Sequence, residues 1–208
     1  MKGVYTMIKV YLANLGKYNE GELVGEWLEL PCTEEEMEQK LVEIGVAHYN
    51  DKGEFIQYVI ETDAKGYEYV YEEYAIHDYE VPEGLDLEIG EYTNLNELNE
   101  LAEKLDNLGE SDMEILKALV ELGYMTEKDL YEKDLEKEIG DSCVIYLEDS
   151  FASDEQRLGE GYIDTVYYGD LSQLSLETLT RYFDYEAFGR DLAMDYSVAS
   201  NDIAVSRY

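Results

Sequence analysis

The sequence predicts an α+β protein, arranged as an elongated subunit of three parts. Apolar residues alternate with polar ones over short segments near both ends, and they recur every three or four residues in the middle of the chain. Acidic residues outnumber basic ones by 50 to 15, which gives a formal net charge of −35. Such charge is typical of disordered chains, but 21 tyrosines and only 2 prolines indicate a packed protein.

The first predicted domain covers residues 1–92 and begins with an antiparallel β-sheet. Strands are expected over residues 7–14 and 23–30, because apolar and β-branched side chains are frequent in both segments. The segment between them, 15–21, is rich in glycine and asparagine and predicts a turn. These three segments predict a hairpin.

A helix is predicted after this hairpin. Thr33 and Glu36 have the spacing of a capping box, and Gly45 stands where a helix commonly ends. Two more strands are expected at 55–60 and 67–78, with turn residues between them. The first domain is therefore predicted to combine an antiparallel sheet with one helix.

The second predicted domain, residues 93–140, is a small helical bundle. Ser111 and Glu114 form another candidate capping box, and leucines recur along one face of the first helix. Each helix is followed by a glycine, which is typical of a helix end. The three helices are predicted over residues 93–108, 111–122 and 126–139.

The third predicted domain, residues 141–208, is mixed α+β. A helical stretch is expected around residues 176–194. A closing hairpin follows, with strands at 196–200 and 203–208 that turn at Asn201 and Asp202.

Acidic residues are spread along the whole chain. Basic and acidic residues number 6 and 21 in 1–90, 5 and 15 in 91–140, and 4 and 14 in 141–208. An acidic tail would concentrate the charge at one end, so this distribution predicts a folded object that is negative throughout. Nucleic acid and anionic membranes would be repelled, which favours a basic protein partner.

The net charge of the chain can be compared with the charge on a length of duplex DNA. At one charge per roughly 1.7 Å of duplex, the net charge of −35 corresponds to about 60 Å of B-DNA. A chain of 208 residues spans such a length only if it is elongated.

The sequence predicts no catalytic residues, no metal site and no cofactor. His48 and His77 are the only histidines, and neither lies in a catalytic or zinc-ligand pattern. Cys32 and Cys143 lie far apart in sequence, which favours two reduced structural thiols over a disulfide. The polar N-terminal segment and the lack of a long apolar run predict a cytoplasmic protein.

Carboxylates on the outer faces of the predicted helices are the candidate contacts for a basic partner. In the helix that starts near residue 93, they recur every third residue opposite the leucines. An ordinary solvated helix face has the same pattern, and the net charge of the chain is what favours a binding role. The candidates are Glu34, Glu35, Glu38, Glu97, Glu100, Glu103, Asp106, Glu110, Asp112, Glu121, Glu127, Asp129, Glu132, Glu186 and Asp191.

Three segments of the chain resemble the ArdA family of antirestriction proteins. They run from Val10 to Gly21, from Tyr74 to Glu80 and from Tyr182 to Leu192, in the order of the family. A weaker likeness covers Tyr92 to Glu103. Together they make up about a fifth of the chain, and they extend from near its beginning to near its end.

This resemblance implies a curved dimer of three-domain subunits that mimics bent DNA and occupies the DNA-binding groove of type I restriction–modification enzymes. Proteins of this family travel on mobile genetic elements, where they protect incoming DNA. The family's antirestriction motif, linked to the dimer interface, corresponds here to about residues 171–184. The residues expected in that interface are Leu171, Leu174, Leu176, Leu179, Tyr182, Phe183 and Asp184.

Two departures from the family pattern are expected. The segment around 46–67 is an insertion relative to shorter relatives, and it is expected to add a hairpin and to alter which partner is bound. The first six residues precede the usual start, so translation from Met7 is an alternative.

Three alternative functions stay open from the sequence. The chain could inhibit another DNA-binding protein or a nuclease, or it could be an acidic hydrolase with two of its carboxylates in catalysis. Adaptation to high salt also makes proteins acidic, although 11 lysines and many tyrosines fit that explanation less well.

Overall fold

The structure is a computed structural model that describes residues 7–168, 177, 180 and 183–206. Its helices and antiparallel sheets confirm the predicted α+β class. The chain divides between Asn107 and Leu108 into two compact units. The division into domains 1–92, 93–140 and 141–208 stays a prediction. Among the described residues, no helix has the length and apolar character needed to cross a membrane.

The N-terminal unit contains seven strands and three helices among its described residues. In chain order they are β1 (Ile8–Asn14), α1 (Leu15–Asn19), β2 (Gly25–Leu30), α2 (Glu34–Glu43), β3 (His48–Tyr49), β4 (Phe55–Ile56), β5 (Val59–Thr62), β6 (Glu68–Tyr71), β7 (Tyr74–Glu80) and α3 (Leu95–Asp106).

The central sheet of this unit has the strand order β2-β1-β7, and both pairs are antiparallel. Ile8, Val10 and Leu12 alternate along β1 and are fully buried, so one face of the central strand forms the core. The predicted first hairpin is therefore confirmed, and β7 completes the sheet on the other side of β1.

Asn14 connects this sheet to two helices. Its side-chain oxygen accepts a hydrogen bond from the Lys17 N–H at 3.0 Å and caps α1, a short helix where the sequence predicted only a turn. Its amide nitrogen donates to the carbonyls of Ile44 at 3.0 Å and Gly45 at 3.2 Å. The side chain is only 1% exposed, so its hydrogen bonds hold β1 against the end of α2.

The prediction for α2 is confirmed at both ends. Thr33 and Glu36 form the reciprocal capping box, and Gly45 has the positive φ of 74° that is typical of a residue following a helix.

The predicted strand at 67–78 is two strands. It is interrupted at Glu72 and Glu73, and its halves pair with different partners: β6 with β5, and β7 with β1. A run of apolar and aromatic residues does not reveal where a strand changes partner, which is why the sequence did not predict the break. The segment 46–67 contains β3, β4 and β5, and β5 forms a hairpin with β6.

The C-terminal unit begins with helices and ends with a small sheet. Its described elements are α4 (Glu110–Glu121), α5 (Glu127–Glu132), α6 (Leu135–Gly140), β8 (Cys143–Tyr146), α7 (Asp154–Tyr167), α8 (Tyr185–Leu192), β9 (Ser197–Val198) and β10 (Ile203–Ser206). Strand β10 lies between β8 and β9, and both pairs are antiparallel. The predicted closing hairpin is confirmed, with Asp202 at a positive φ of 63° in its turn.

Two details of the predicted helices in this unit were wrong. Ser111 does not cap α4, because the helix begins earlier, after Gly109, and the Ser111 hydroxyl lies 2.7 Å from the Tyr146 hydroxyl instead. The predicted helix at 126–139 is two helices, because the side chain of Asp134 accepts a hydrogen bond from the Lys137 N–H and caps α6. Aspartate is a weak helix former inside a helix and a strong N-cap, which explains the break.

Helix α7 was not predicted, and its contact with α8 depends on glycine. A Cβ atom on Gly189 would stand 1.4 Å from the backbone oxygen of Glu155, and one on Gly159 would stand 2.6 Å from that of Tyr185. The two helices therefore pack backbone to backbone.

Candidate partner-binding surface

The outer face of α3 carries a row of four exposed carboxylates. Asn94 caps the helix by accepting hydrogen bonds from the N–H groups of Asn96 and Glu97 at 2.8 and 3.3 Å. The inner face is a buried stripe that includes Leu98 and Leu101, which are 0% and 1% exposed. Because the leucines fix the rotation of the helix, the carboxylates face outward; they belong to Glu97, Glu100, Glu103 and Asp106.

The candidates on α2 occupy its first turns. Glu34 and Glu35 are exposed next to the helix N-terminus, where the helix dipole favours negative charge. Glu38 is half-buried and accepts a hydrogen bond from the Tyr49 hydroxyl at 2.8 Å, which raises the pKa of that tyrosine. Glu38 therefore also holds β3 against the helix.

The candidates on α4 also include both exposed carboxylates and one that accepts hydrogen bonds within the protein. Glu110 is exposed and Asp112 is half-buried in the first turn. Glu121 is exposed, but its carboxylate accepts hydrogen bonds from the N–H and hydroxyl of Ser200 at 2.8 and 2.7 Å. Its position thus connects α4 to the turn of the closing hairpin.

The candidates on α5 are Glu127, Asp129 and Glu132, and lysines neutralise two of them. Asp129 lies 2.9 Å from the Lys133 ammonium and Glu132 lies 3.5 Å from that of Lys128. Glu127 is half-buried in the first turn of the helix.

Hydrogen bonds from Thr126 to the Asp129 carboxylate are the main cause that holds the pKa of this group below its usual range. They come from the Thr126 N–H at 2.8 Å and its hydroxyl at 2.7 Å, and the ammonium of Lys133 contributes in the same direction. Asp129 is therefore fixed in its charged form as a structural cap.

The candidates on α8 are Glu186 and Asp191, and both are exposed. Glu186 accepts a hydrogen bond from Arg190 at 2.7 Å, so this carboxylate is partly neutralised.

The predicted dimer motif lies mostly outside the described residues. Of the residues expected in the interface, Phe183 and Asp184 are described, and the Phe183 ring contacts those of Tyr185 and Phe188 with centroids 4.9 and 5.1 Å apart. Asp184 caps α8 by accepting a hydrogen bond from the Ala187 N–H at 2.8 Å. The motif residues outside the described part are Leu171, Leu174, Leu176, Leu179 and Tyr182.

A cavity of about 470 Å³ in the N-terminal unit was not predicted from the sequence. Tyr92 and Tyr74 line it together with Glu73. The carboxylates of Glu91 and Glu73 raise the pKa of the exposed Tyr92, the larger effect coming from Glu91. The adjacent tyrosines and glutamates were visible in the sequence, but nothing in their spacing indicated that β7 and the segment before α3 converge.

The groups considered for catalysis or metal binding have other contacts. The His77 ring makes an edge contact with Tyr18 at a centroid distance of 4.5 Å, and Nδ1 of His48 lies 2.7 Å from the Tyr58 carbonyl oxygen. Neither Cys32 nor Cys143 forms a disulfide in the described part of the chain, and the Cys143 sulfur lies 3.2 Å from the Tyr196 hydroxyl. Among the described residues, no group of three or more acidic, histidine or cysteine side chains could hold a metal ion.

The pKa of three described carboxyl groups, those of Glu114, Asp129 and Glu155, lies below the usual range. The ammonium of Lys117 is the main cause at Glu114, and a hydrogen bond from its own N–H is the main cause at Glu155. Asp129 shifts in the same direction. A general acid needs the opposite shift, so these three groups suit ion pairing rather than proton donation at neutral pH.

Both units are strongly negative. The sequence up to Asn107 has 7 basic and 26 acidic residues, a net −19, and the sequence from Leu108 on has 8 and 24, a net −16. All fifteen candidate carboxylates are exposed or half-buried, and none is buried. Each unit can therefore attract a basic partner by itself.

Comparison with known proteins places this acidic chain in a family. No curated protein matched the sequence. The family model of the antirestriction protein ArdA matches residues 10–205, which is nearly the whole chain and includes the three segments that carry the resemblance. The chain therefore belongs to the ArdA family of antirestriction proteins.

Proposed function

We propose that this protein inhibits type I restriction–modification enzymes as a homodimer whose carboxylates occupy the DNA-binding groove in place of phosphates. Membership of the antirestriction family supports the inhibition of restriction. The net charge of −35 supports a groove lined with Lys and Arg as the target, because such a groove attracts anions. No nucleic acid, membrane or cofactor takes part in this function.

The acidic row on α3 is the observation that carries the proposal. Consecutive carboxylates in the row are three residues apart, which corresponds to roughly 4.5 Å along a helix axis. The phosphates of one DNA strand follow one another at about 3.4 Å of duplex axis. Lys and Arg side chains are long and flexible enough to accommodate the difference, so a groove that binds DNA can also bind this row.

The remaining carboxylates supplement this row. Each exposed ion pair contributes only about 0.2–1 kcal/mol, so tight binding requires many pairs distributed over both units. The gain comes from charge complementarity and steered association rather than from one dominant contact, and it decreases as salt screens the charges.

Displacement of DNA tests this proposal. The full-length protein is titrated into a type I restriction–modification enzyme bound to labelled duplex DNA, at low and at high salt. We expect displacement at low salt that weakens steeply as salt increases. Polyglutamate at the same total charge is the control, and it should displace less DNA because its carboxylates are not held in a fixed arrangement.

Two outcomes would contradict the proposal. A protein that leaves the enzyme–DNA complex intact at low salt does not act in the groove, and nucleases and other DNA-binding proteins would then be tested in the same assay. Sedimentation of the free protein tests the homodimer, and a mass of 24.0 kDa at every concentration would exclude it.

A further inference from the structure

One face of the β5–β6 hairpin is fixed to α1. The Tyr71 side chain is buried on this face, and its hydroxyl donates to both carboxylate oxygens of Glu20 at 3.0 Å. The Lys17 ammonium lies 4.4 Å from the centre of the Tyr71 ring and 2.6 Å from the Glu61 carboxylate. These contacts connect both strands to the helix, so the orientation of the hairpin is defined.

The opposite face of the hairpin exposes two apolar side chains side by side. Ile60 pairs with Val70 across the two strands, and they are 53% and 57% exposed. Since successive side chains of a strand point to opposite faces, both point away from α1. Isolated apolar residues are common on protein surfaces, but a cross-strand pair of β-branched residues forms a contiguous patch.

Two exposed glutamates flank Val70 along the chain. Glu68 and Glu72 alternate with Val70, and both are exposed. Thr62, opposite Glu68 in the hairpin, is also exposed. A second copy of the chain is a poor occupant of this patch because the glutamates of the two copies would repel each other, and anionic lipid or nucleic acid would be repelled as well. The charges fit a partner with a basic surface.

We propose that the outer face of the β5–β6 hairpin, centred on Ile60 and Val70, binds an apolar side chain flanked by Lys or Arg on the restriction–modification enzyme. This inference rests on the proposed function and extends it, because the phosphate backbone offers no such apolar contact. Salt screens the carboxylate contacts, but it does not weaken the burial of apolar surface. The hairpin thus provides the salt-resistant part of the binding and discriminates between enzymes with similar DNA-binding grooves.

The double variant Ile60→Thr, Val70→Thr tests the patch. Threonine keeps the β-branched shape that suits a strand and replaces apolar surface with a hydroxyl. In the DNA displacement assay, we expect roughly fivefold weaker binding at both low and high salt, with an unchanged salt dependence. The matched control is Leu23→Thr, which removes an 84% exposed apolar side chain outside the hairpin and should have no effect.

The double variant Glu68→Gln, Glu72→Gln should show the opposite pattern. It removes charge and keeps the apolar pair, so we expect weaker binding at low salt, a smaller salt dependence and almost no change at high salt. The two double variants thereby separate the apolar part of the contact from its charged surroundings.

A short peptide tests the same chemistry without the enzyme. The probe is acetyl-Lys-Lys-Leu-Lys-Lys-amide, and methyl NMR signals of Ile60 and Val70 report its binding to the full chain. We expect saturable shifts at these methyl groups, and weaker ones when serine replaces the leucine of the peptide. Shifts that are equal for both peptides, or that occur only elsewhere, would overturn the proposed patch.

The outcomes distinguish this inference from the proposed function. If the wild-type protein displaces DNA and the Ile60→Thr, Val70→Thr variant does so equally at every salt, the patch has no role while the mimicry stands. If that variant loses self-association, a second copy of the chain occupies this face and the inference that it binds the enzyme is wrong. If the wild-type protein displaces no DNA, the proposed function fails and the peptide alone decides what the patch binds.

Discussion

Helices α3 and α5 both carry acidic residues on their outer faces, but they use them differently. On α3, Glu97 and Glu100 are exposed, and no hydrogen bond or ion pair with a described residue involves their carboxylates. On α5, Asp129 accepts three polar contacts from Thr126 and Lys133, and Glu132 pairs with Lys128. The same residue types therefore provide surface charge in one helix and internal stabilisation in the other.

The exposed fraction of a carboxylate does not by itself show how strongly that carboxylate attracts a basic partner. A carboxylate contributes to attraction at a distance only to the extent that no neighbouring cation cancels its charge. Glu97 and Glu100 are therefore expected to contribute more to the negative potential than Asp129 and Glu132, which lie beside lysines. The proposed binding surface is thus expected to have regions that attract a basic partner strongly and regions that attract it weakly.

The largest expected effect is the difference in the free energy of unfolding between a variant on the inner face of α3 and one on its outer face. Leu98 is fully buried, and Leu98→Ala should lower the free energy of unfolding by about 2–5 kcal/mol because it leaves a cavity beneath the acidic row. Urea unfolding followed by circular dichroism measures the change. Glu97→Gln on the outer face is the control and should stay within about 0.5 kcal/mol of the wild type. A cost below about 1 kcal/mol for Leu98→Ala would mean that the stripe is loosely packed.

A cap substitution tests the structural role of the α5 carboxylates. Thr126→Ala removes the hydroxyl of the capping box and should cost about 1 kcal/mol of stability. The same unfolding measurement detects it, and Thr33→Ala in the matching capping box of α2 gives the reference value. Inhibition of the enzyme should not change at temperatures where the variant is folded, and a loss of inhibition there would assign α5 a direct role in binding.

Matched charge variants then compare the two helices in binding. The double variant Glu97→Gln, Glu100→Gln should weaken DNA displacement by roughly two- to tenfold at low salt, since two exposed pairs are lost. The double variant Glu127→Gln, Glu132→Gln on α5 changes the formal charge equally and should have a smaller effect, because Lys128 already neutralises Glu132. Equal effects would show that only total charge matters and would remove the distinction between the helices.

The smallest expected effect concerns pH. The pKa of Asp129 is lowered in the folded state, so its stabilising contribution is present above the pKa of an unfolded aspartate, about 3.9. This contribution decreases as pH falls below that value toward the pKa of the folded state. Unfolding of the wild type and of Asp129→Asn at neutral and acidic pH measures it. The stability difference should shrink on acidification, and a constant difference would contradict the assignment.

Local signals in the sequence predicted much of the fold. The capping box at Thr33 and the turn at Asp202 depend on residues within a few positions of each other, so their chemistry is visible in the sequence. The leucine stripe of α3 gave its orientation for the same reason. These elements were predicted correctly because a short-range rule determines each of them.

Elements that depend on distant contacts were not predicted. The change of partner between β6 and β7, and the convergence of Tyr92 and Glu73 in one cavity, are determined by tertiary packing. Helix α7 was not predicted because its glycines lower helix propensity. Gly159 is needed for the close contact with α8, which the sequence does not show. Helical spacing identified exposed carboxylates such as Glu97. It could not show that the Glu121 carboxylate accepts hydrogen bonds from Ser200, which lies 79 residues away in sequence.

The glycine contact between α7 and α8 implies that exposed acidic positions and the glycine at this contact tolerate substitution to different extents. On the acidic surface, many carboxylates each contribute little, so an exchange of Glu for Asp at one position is expected to cost little. Gly189 has no such freedom, because any side chain would overlap the backbone of Glu155. Substitutions on the acidic exterior are thus expected to be tolerated more readily than any substitution of Gly189, whose lack of a side chain lets α7 and α8 approach.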